Sequence, residues 1–306
     1  MRAASKIIRT YSGLADIPSG TSSAKITDGC LVLEGGAWRG IYTEGALDYL
    51  LQQDINFKSV IGVSAGAMSG MTYMSGQIGW AARFNLSFRR DRDYCGLGAM
   101  KRDHGITGFS FVFTDAADKY GLDKERICDP GRLLTVVATD CRTGGAHYFT
   151  SRSYERLAKM VQASATVPYV SLPVMIDGVP YLDGGIACNI PFEFARNGGF
   201  RKTFVIRTRD RSFSKEPKEH RKLNEIFYRQ YPKICEQLEN SGRRYNEELR
   251  RLGELEEKGE IFVLAPSRPL DIGRFESDME ILGKIYWLGY HDMQAHFDEL
   301  KAYLEK

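Results

Sequence analysis

The chain has 306 residues, enough for one large α/β core, and its 43% hydrophobic and 26% charged residues describe a globular protein rather than a low-complexity or disordered one. Forty-two Lys and Arg against 39 Asp and Glu leave a net charge of +3, a balance that does not by itself point to nucleic acid. No apolar run approaches the roughly 18 residues of a membrane-spanning helix, and Met1–Ser22 is basic without a continuous apolar stretch, so neither a transmembrane helix nor a secretory signal is expected.

Residues 1–27 read as a polar leader. Cys30–Glu34 (CLVLE) has the unbroken apolar character of a short buried strand. Gly35-Gly36-Ala37-Trp38-Arg39-Gly40 is a tight loop, and Ile41–Gln52 reads as a helix with Leu47, Leu50 and Leu51 on one face. A second strand begins at Ser59–Ile61. Strand, helix and strand in such short compass form a βαβ unit with parallel pairing. A helix over Ala67–Met74 follows. From Trp80 to Asp118 the pattern loses a clean period, and residues 84–113 suit a lid or an acyl-pocket wall.

Strands are predicted at Leu133–Thr139 and Ala146–Thr150, and a helix at Tyr154–Ala163. Val174–Ile176 and Val179–Leu182 flank Asp177-Gly178 as a hairpin. Thr203–Thr208 is a further strand. Lys218–Lys258 is charged with a helical period, broken near Pro232 and Gly242. Ile261–Ala265 reads as a last core strand. Helices near Met279–Leu288 and Asp292–Leu304 close the chain, with Gly289 close to their boundary. No linker stands out, so residues 28–306 read as one domain: a motif-bearing core to 210 and a helical extension over 211–306.

The chemistry concentrates at strand ends. Gly62-Val63-Ser64-Ala65-Gly66 spells G-x-S-x-G between a strand and a helix, the layout that lifts a serine Oγ above a sheet at a helix N-terminus. Asp183, in Tyr181-Leu182-Asp183-Gly184-Gly185, places a carboxylate after an apolar strand, where open α/β sheets put their sites. The competing reading of Asp-Gly-Gly is a simple turn. The Gly35–Gly40 loop leaves N–H groups free to converge on an anion, with Arg39 adding positive charge. A dinucleotide fingerprint fits it poorly, because Ala37 stands at the middle glycine and Asp54 precedes the second strand. Of the histidines, His104 and His147 precede Asp183. His220 sits in a charged run that suits a solvated helix face, and His291 and His296 fall in the terminal helices. The six cysteines are scattered without a CxxC pair. Cys30 and Cys141 read as buried free thiols, consistent with a reduced, cytoplasmic compartment.

Taken in order, E-G-G-A-W-R-G at 34–40, G-V-S-A-G at 62–66, Ala138-Thr139-Asp140 with Thr143-Gly144, Ala163–Pro168 and L-D-G-G at 182–185 resemble the patatin-like phospholipases over residues 28–200. The resemblance implies a three-layer α/β fold with a mainly parallel central sheet flanked by helices. It implies a lipid acyl hydrolase without cofactor or metal, working through a Ser-Asp dyad with no catalytic histidine. On that pattern Ser64 is the nucleophile and Asp183 the base. Gly35, Gly36, Ala37 and Arg39 match the oxyanion loop. Ala37 departs from the glycine usual there, and Gly185 stands where many relatives have alanine.

Two other readings stay open: a non-enzymatic scaffold on the same fold, and a general α/β-hydrolase esterase with a histidine triad. A lipid or acyl ester is the expected partner. Two basic stretches read either as solvated surface or as contact with anionic lipid headgroups. The first holds Arg83, Arg89, Arg90, Arg92, Lys101 and Arg102 among Phe84, Phe88 and Tyr94; the second runs from Arg201 to Lys222.

Overall fold

The computed structural model describes residues 10–216 and 221–306. Its strands are β1 (Gly20–Thr21), β2 (Thr27–Leu33), β3 (Phe57–Val63), β4 (Gln77–Ile78), β5 (Leu133–Asp140), β6 (Ala146–Thr150), β7 (Val174–Ile176), β8 (Val179–Asp183), β9 (Thr203–Ile206) and β10 (Phe262–Leu264). Eight of them form the central sheet in the order β10-β9-β2-β3-β5-β8-β7, with β6 also paired to β5. From β10 across to β5 all neighbours are parallel; β6, β7 and β8 add antiparallel pairings on one side. This is a mixed α/β fold with a mainly parallel central sheet between helical layers.

Both faces of the sheet are covered, which explains the unbroken apolar run of β2. Leu31 and Leu33 face a core shared with helix α1 (Gly40–Gln52) and helix α2 (Ala65–Met74). Cys30 and Val32 face the opposite core, built with Phe192, Tyr245, Leu252 and Leu255. The C-terminal region supplies helices to both layers. Ser241–Glu257 packs on the Cys30 side, and Met279–Ala295 with Phe297–Glu305 packs on the Leu31 side.

The sequence places a helix boundary near Gly289, but the helix runs through it from Met279 to Ala295 and breaks at His296. The glycine serves a close approach instead. A Cβ on Gly289 would lie 1.9 Å from the Tyr42 carbonyl oxygen, and one on Gly45 would lie 2.0 Å from that of Tyr286. Two glycines thus let this helix and α1 meet backbone to backbone. Reciprocal buried hydrogen bonds lock the crossing: Tyr42 Oη donates to Asp292 at 3.0 Å and Tyr286 Oη to Asp48 at 2.9 Å. Gly242 likewise breaks nothing; the interruption falls at Asn240, between Pro232–Glu239 and Ser241–Glu257. Part of the leader is folded too. Ile17 is buried, and β1 pairs antiparallel with β4. Among the described residues no helix is long and apolar enough to cross a membrane, and all six cysteines are free.

A methyl group at the α1 crossing meets backbone that cannot move aside, so overpacking is costly. Gly289→Ala is expected to destabilise the protein by roughly 3 kcal/mol or more. Urea unfolding checks this; an unchanged midpoint would show that the crossing relaxes freely.

Candidate active site

β5 positions the site because it changes partner partway along one edge. Val137 is the last β5 residue in register with β3, opposite Val63. The next residue, Ala138, pairs with Asp183 of β8. Ser64 follows Val63 directly, and Asp183 is the last residue of β8, so the serine and the aspartate meet at the point along β5 where β3 and β8 both end. Ser64 Oγ donates to Asp183 Oδ2 at 2.7 Å.

The junction is filled by Ser164, at the end of the Tyr154–Ser164 helix. Its Oγ accepts from Ser64 N–H at 2.8 Å and donates to the Val137 carbonyl at 2.5 Å. Thr139 Oγ1 donates to the Asp183 carbonyl at 2.8 Å, and Asp183 N–H donates to the Thr166 carbonyl at 3.1 Å. The Gly185 N–H holds Asp183 Oδ1 at 2.8 Å, which leaves Oδ2 facing the serine. Gly184 is buried against Val137.

Ser64 itself has φ 54° and ψ −123°, a conformation that non-glycine residues rarely adopt. Such a conformation costs on the order of 1–3 kcal/mol and persists only where the surroundings over-determine it. Here the turn is pressed onto β2: a Cβ on Gly66 would lie 2.4 Å from the Leu33 carbonyl oxygen. Gly62 and Val63 end β3 beneath the serine, and Ala65 opens α2.

The Gly35–Gly40 loop lies alongside. An added Cβ on Gly35 would stand 3.1 Å from Ser64 Cβ and 3.2 Å from the Val63 carbonyl oxygen, so the loop lies directly against the elbow. Gly35 C=O accepts from Thr208 Oγ1 at 3.0 Å. The N–H groups of Gly36 and Ala37 are taken by no carbonyl of the described residues. Ala37 has φ 48°, the left-handed region, and lines the cleft beside Ser64 and Ala65. Arg39 does not line the cleft; its Nε is buried without a partner, and burial followed by the charge of Arg209 pulls its guanidinium down to about 10. Glu34, read from sequence only as the end of a strand, supports the loop from below. It accepts from Thr208 N–H at 2.6 Å and from the Tyr245 hydroxyl.

Burial pushes Asp183 up from 3.8 to about 6, against the opposing hydrogen bonds from Ser64 and Gly185 and the charges of Arg274 and Lys215. A carboxyl in that range is a far better base near neutral pH than a free aspartate, while still ionised at pH 7. Ser64 sits in a cleft of about 190 Å3 with a largely apolar wall that includes Ile41, Met68, Ile106, Val167 and Phe275. The irregular 84–113 stretch supplies part of that wall through Asn85, Arg89, Tyr94, Cys95, Gly96, Ile106 and Thr107. Among the described residues no histidine lines the cleft. His291 and His296 are exposed on the terminal helices, and His220 lies outside the described residues. No group of three or more His, Cys, Asp or Glu among the described residues could hold a metal ion.

The aromatic residues of the first basic stretch are not at a surface. Phe84 and Tyr94 are buried, and Phe88 is half-buried against Phe84 and Phe111. Arg89 is buried with them, tied to the Phe275 carbonyl at 2.8 Å and that of Glu276 at 2.5 Å. The rings of Trp80, Phe84 and Phe88 recur at helical spacing and therefore pack inward, behind the cleft wall.

Residues 31–196 match the family model described as patatin-like phospholipase, and residues 231–305 match one described as a domain of unknown function, DUF6363. "Uncharacterized protein YjjU" of Escherichia coli (strain K12) is 28% identical over 183 residues, 58% of this chain and 51% of that protein. "Probable lipid hydrolase 463L" of Invertebrate iridescent virus 6 is 26% identical over 183 residues, 54% of this chain and 62% of that protein. The chain thus covers less than two thirds of either relative. Among solved structures, VipD from Legionella pneumophila aligns with 98% of this chain and 72% of its own, at 13% identity and a TM-score of 0.44.

The left-handed Ala37 carries a strain that glycine avoids, worth about 1 kcal/mol before the entropy glycine adds to the unfolded chain is subtracted. Ala37→Gly is expected to keep or raise the melting temperature, by up to about 1 kcal/mol of stability. A clear loss of stability would show that the alanine methyl packs favourably enough to outweigh the strain.

Proposed function

The chain belongs to the patatin-like phospholipase family, and from that premise we propose that it is a serine acyl hydrolase of lipid carboxylic esters, with Ser64 as nucleophile and Asp183 as its base. The observation that carries this reading is the 2.7 Å hydrogen bond from the Oγ of Ser64, which lines the cleft, to the half-buried Asp183 carboxylate. Ser64 Oγ attacks the ester carbonyl carbon while its proton passes to Asp183 Oδ2. The developing oxyanion is held by main-chain N–H groups of the Gly35–Ala37 loop, each such donor typically worth roughly 3 kcal/mol. Arg39 adds charge behind the loop. Asp183 returns the proton to the departing alcohol and then draws one from the water that hydrolyses the acyl-enzyme. The cleft, at about 190 Å3, is smaller than the roughly 300–1,000 Å3 of pockets that engulf drug-sized ligands. It suits one acyl segment, with the rest of the lipid outside. We read residues 28–306 as a single working unit; what supports this is that the C-terminal helices furnish part of both layers over the sheet.

Exposed apolar side chains, the first of them next to cleft residue Gly96, support contact with lipid. Leu97 and Met100, on the Leu97–Asp103 helix that follows cleft residue Gly96, are exposed, Leu97 to 75%. Leu172, also exposed, is tied through its N–H to the His104 carbonyl just after that helix. Ile226 (76% exposed) and Phe227 lie on the Arg221–Tyr228 helix, with Phe227 against Tyr169. Exposed Lys101, Arg102, Arg221, Lys222 and Arg229 accompany them. Apolar tips flanked by cations suit shallow insertion into an anionic lipid surface.

Ser64→Ala is expected to abolish p-nitrophenyl butyrate hydrolysis, and Asp183→Asn to lower kcat/KM by about 10³-fold, within the usual range for a lost general base. Activity should rise with pH through about 6 and level off above it, because the base works ionised. Stability carries the opposite sign. Asp183 binds its proton more tightly folded than unfolded, so folding stability falls as pH rises from 3.8 to about 6 and stays reduced above. Asp183→Asn at pH 8 should therefore melt no lower than the native protein, with a gain of up to about 3 kcal/mol. An Asp183→Asn protein with near-native turnover would refute the dyad.

For these exposed side chains, replacing Leu97 and Ile226 together by Glu should weaken co-sedimentation with phosphatidylglycerol vesicles by about tenfold or more, since each buried apolar side chain contributes about 1.5–3 kcal/mol. Unchanged sedimentation would remove them from lipid contact.

A further inference from the structure

One acidic side chain in the cleft has no part in the chemistry above. Glu44, on α1, is only 7% exposed and lines the same cleft as Ser64. Its Oε1 accepts from Asn85 Nδ2 at 2.6 Å, and Asn85 Oδ1 accepts in turn from the Tyr94 hydroxyl. Asn85 and Tyr94 line the cleft as well. Glu44 Oε2 is buried and meets no partner in the protein.

Burial, with the nearby Asp48 carboxylate, pushes the Glu44 carboxyl up to about 8. At neutral pH it is mainly the uncharged acid, with one acceptor oxygen and one O–H donor. Oε1 is occupied as an acceptor, so the proton belongs on Oε2, the oxygen without a partner. A buried donor left unmade is costly, whereas an apolar side chain in the same place is not. The surroundings are apolar: Ile41, Met68, Ile106 and Phe275 share the wall. A plain hydrocarbon chain in this cleft leaves the donor unsatisfied; a chain bearing an oxygen at the right carbon satisfies it once the Glu44 carboxyl turns toward the cleft, because Oε2 itself has no exposed surface.

We propose that Glu44, oriented by Asn85, is a polar subsite within the acyl cleft that selects acyl chains carrying a hydroxyl or oxo substituent over plain hydrocarbon chains. The proposal rests on the reading of this cleft as the acyl site. A site built around a hydrogen bond discriminates against the analogue lacking that group, because its own polar atom is then stranded.

The test uses p-nitrophenyl esters of decanoic acid, unsubstituted and carrying one hydroxyl at successive carbons. At one position kcat/KM should exceed that of the plain ester by about tenfold, or about 1.4 kcal/mol. The ratio should fall to near one in Glu44→Leu and survive in part in Glu44→Gln, whose amide both donates and accepts. Calorimetry of plain and hydroxylated decanoic acids with Ser64→Ala protein gives the same comparison without turnover. A hydroxyl preference in binding, with no turnover by the native protein, would sink the hydrolase reading and support the subsite. Ser64-dependent turnover with no hydroxyl preference at any position, in rate or in binding, would overturn the subsite and leave the hydrolase. A preference that persists undiminished in Glu44→Leu would also overturn it, since the contact then lies elsewhere.

Discussion

One edge of β5 carries the site. It holds β3 as far as Val137 and β8 from Ala138 on, and this exchange of partners sets Ser64 beside Asp183. Strand side chains alternate between faces, so a slip of one residue in the β5–β8 register would turn the carboxylate to the other side of the sheet. Ser164 guards the exchange point, bonded both to the Ser64 amide and to the Val137 carbonyl. The parallel and antiparallel parts of the sheet therefore meet where the chemistry is proposed, between two side chains 119 positions apart in the chain.

Around that junction the backbone is held in conformations it would not choose alone. Ser64 and Ala37 both have positive φ, and both lie on the cleft. Strain of this kind is sustained by rigid neighbours, and the C-terminal region supplies them. On one layer, the Met279–Ala295 helix is clamped to α1, the helix that opens directly after the Gly35–Gly40 loop. On the other, Tyr245 from Ser241–Glu257 reaches Glu34 beneath the same loop. The part of the chain with no motif of its own thus fixes the motifs from two sides.

Much of this was legible locally. The elbow, the strand-end aspartate and the unbroken apolar run of β2 follow from small residues at turns and apolar residues in strands. The Asp177-Gly178 hairpin has both central residues at positive φ, as that dipeptide suggests. What stayed hidden depends on partners distant in sequence. Gly289 looked like a helix end because nothing local reveals Tyr42 packed against it. Phe84 and Tyr94 looked interfacial because the rings that enclose them come from residues such as Phe111. Glu34 read as the end of a strand, and nothing local announced Thr208 and Tyr245. Glu44 was simply one charged residue on an amphipathic helix until the fold buried it. The leader read as merely polar, yet Ile17 and β1 belong to the packed structure.

The most direct measurement is covalent trapping of the native protein with a fluorophosphonate, followed by peptide mass spectrometry across pH. One adduct is expected, on Ser64, forming at a rate that rises with an apparent pKa near 6 and drops sharply in Asp183→Asn. Labelling at another residue, or Ser64 labelling at the native rate without the Asp183 carboxylate, would contradict it.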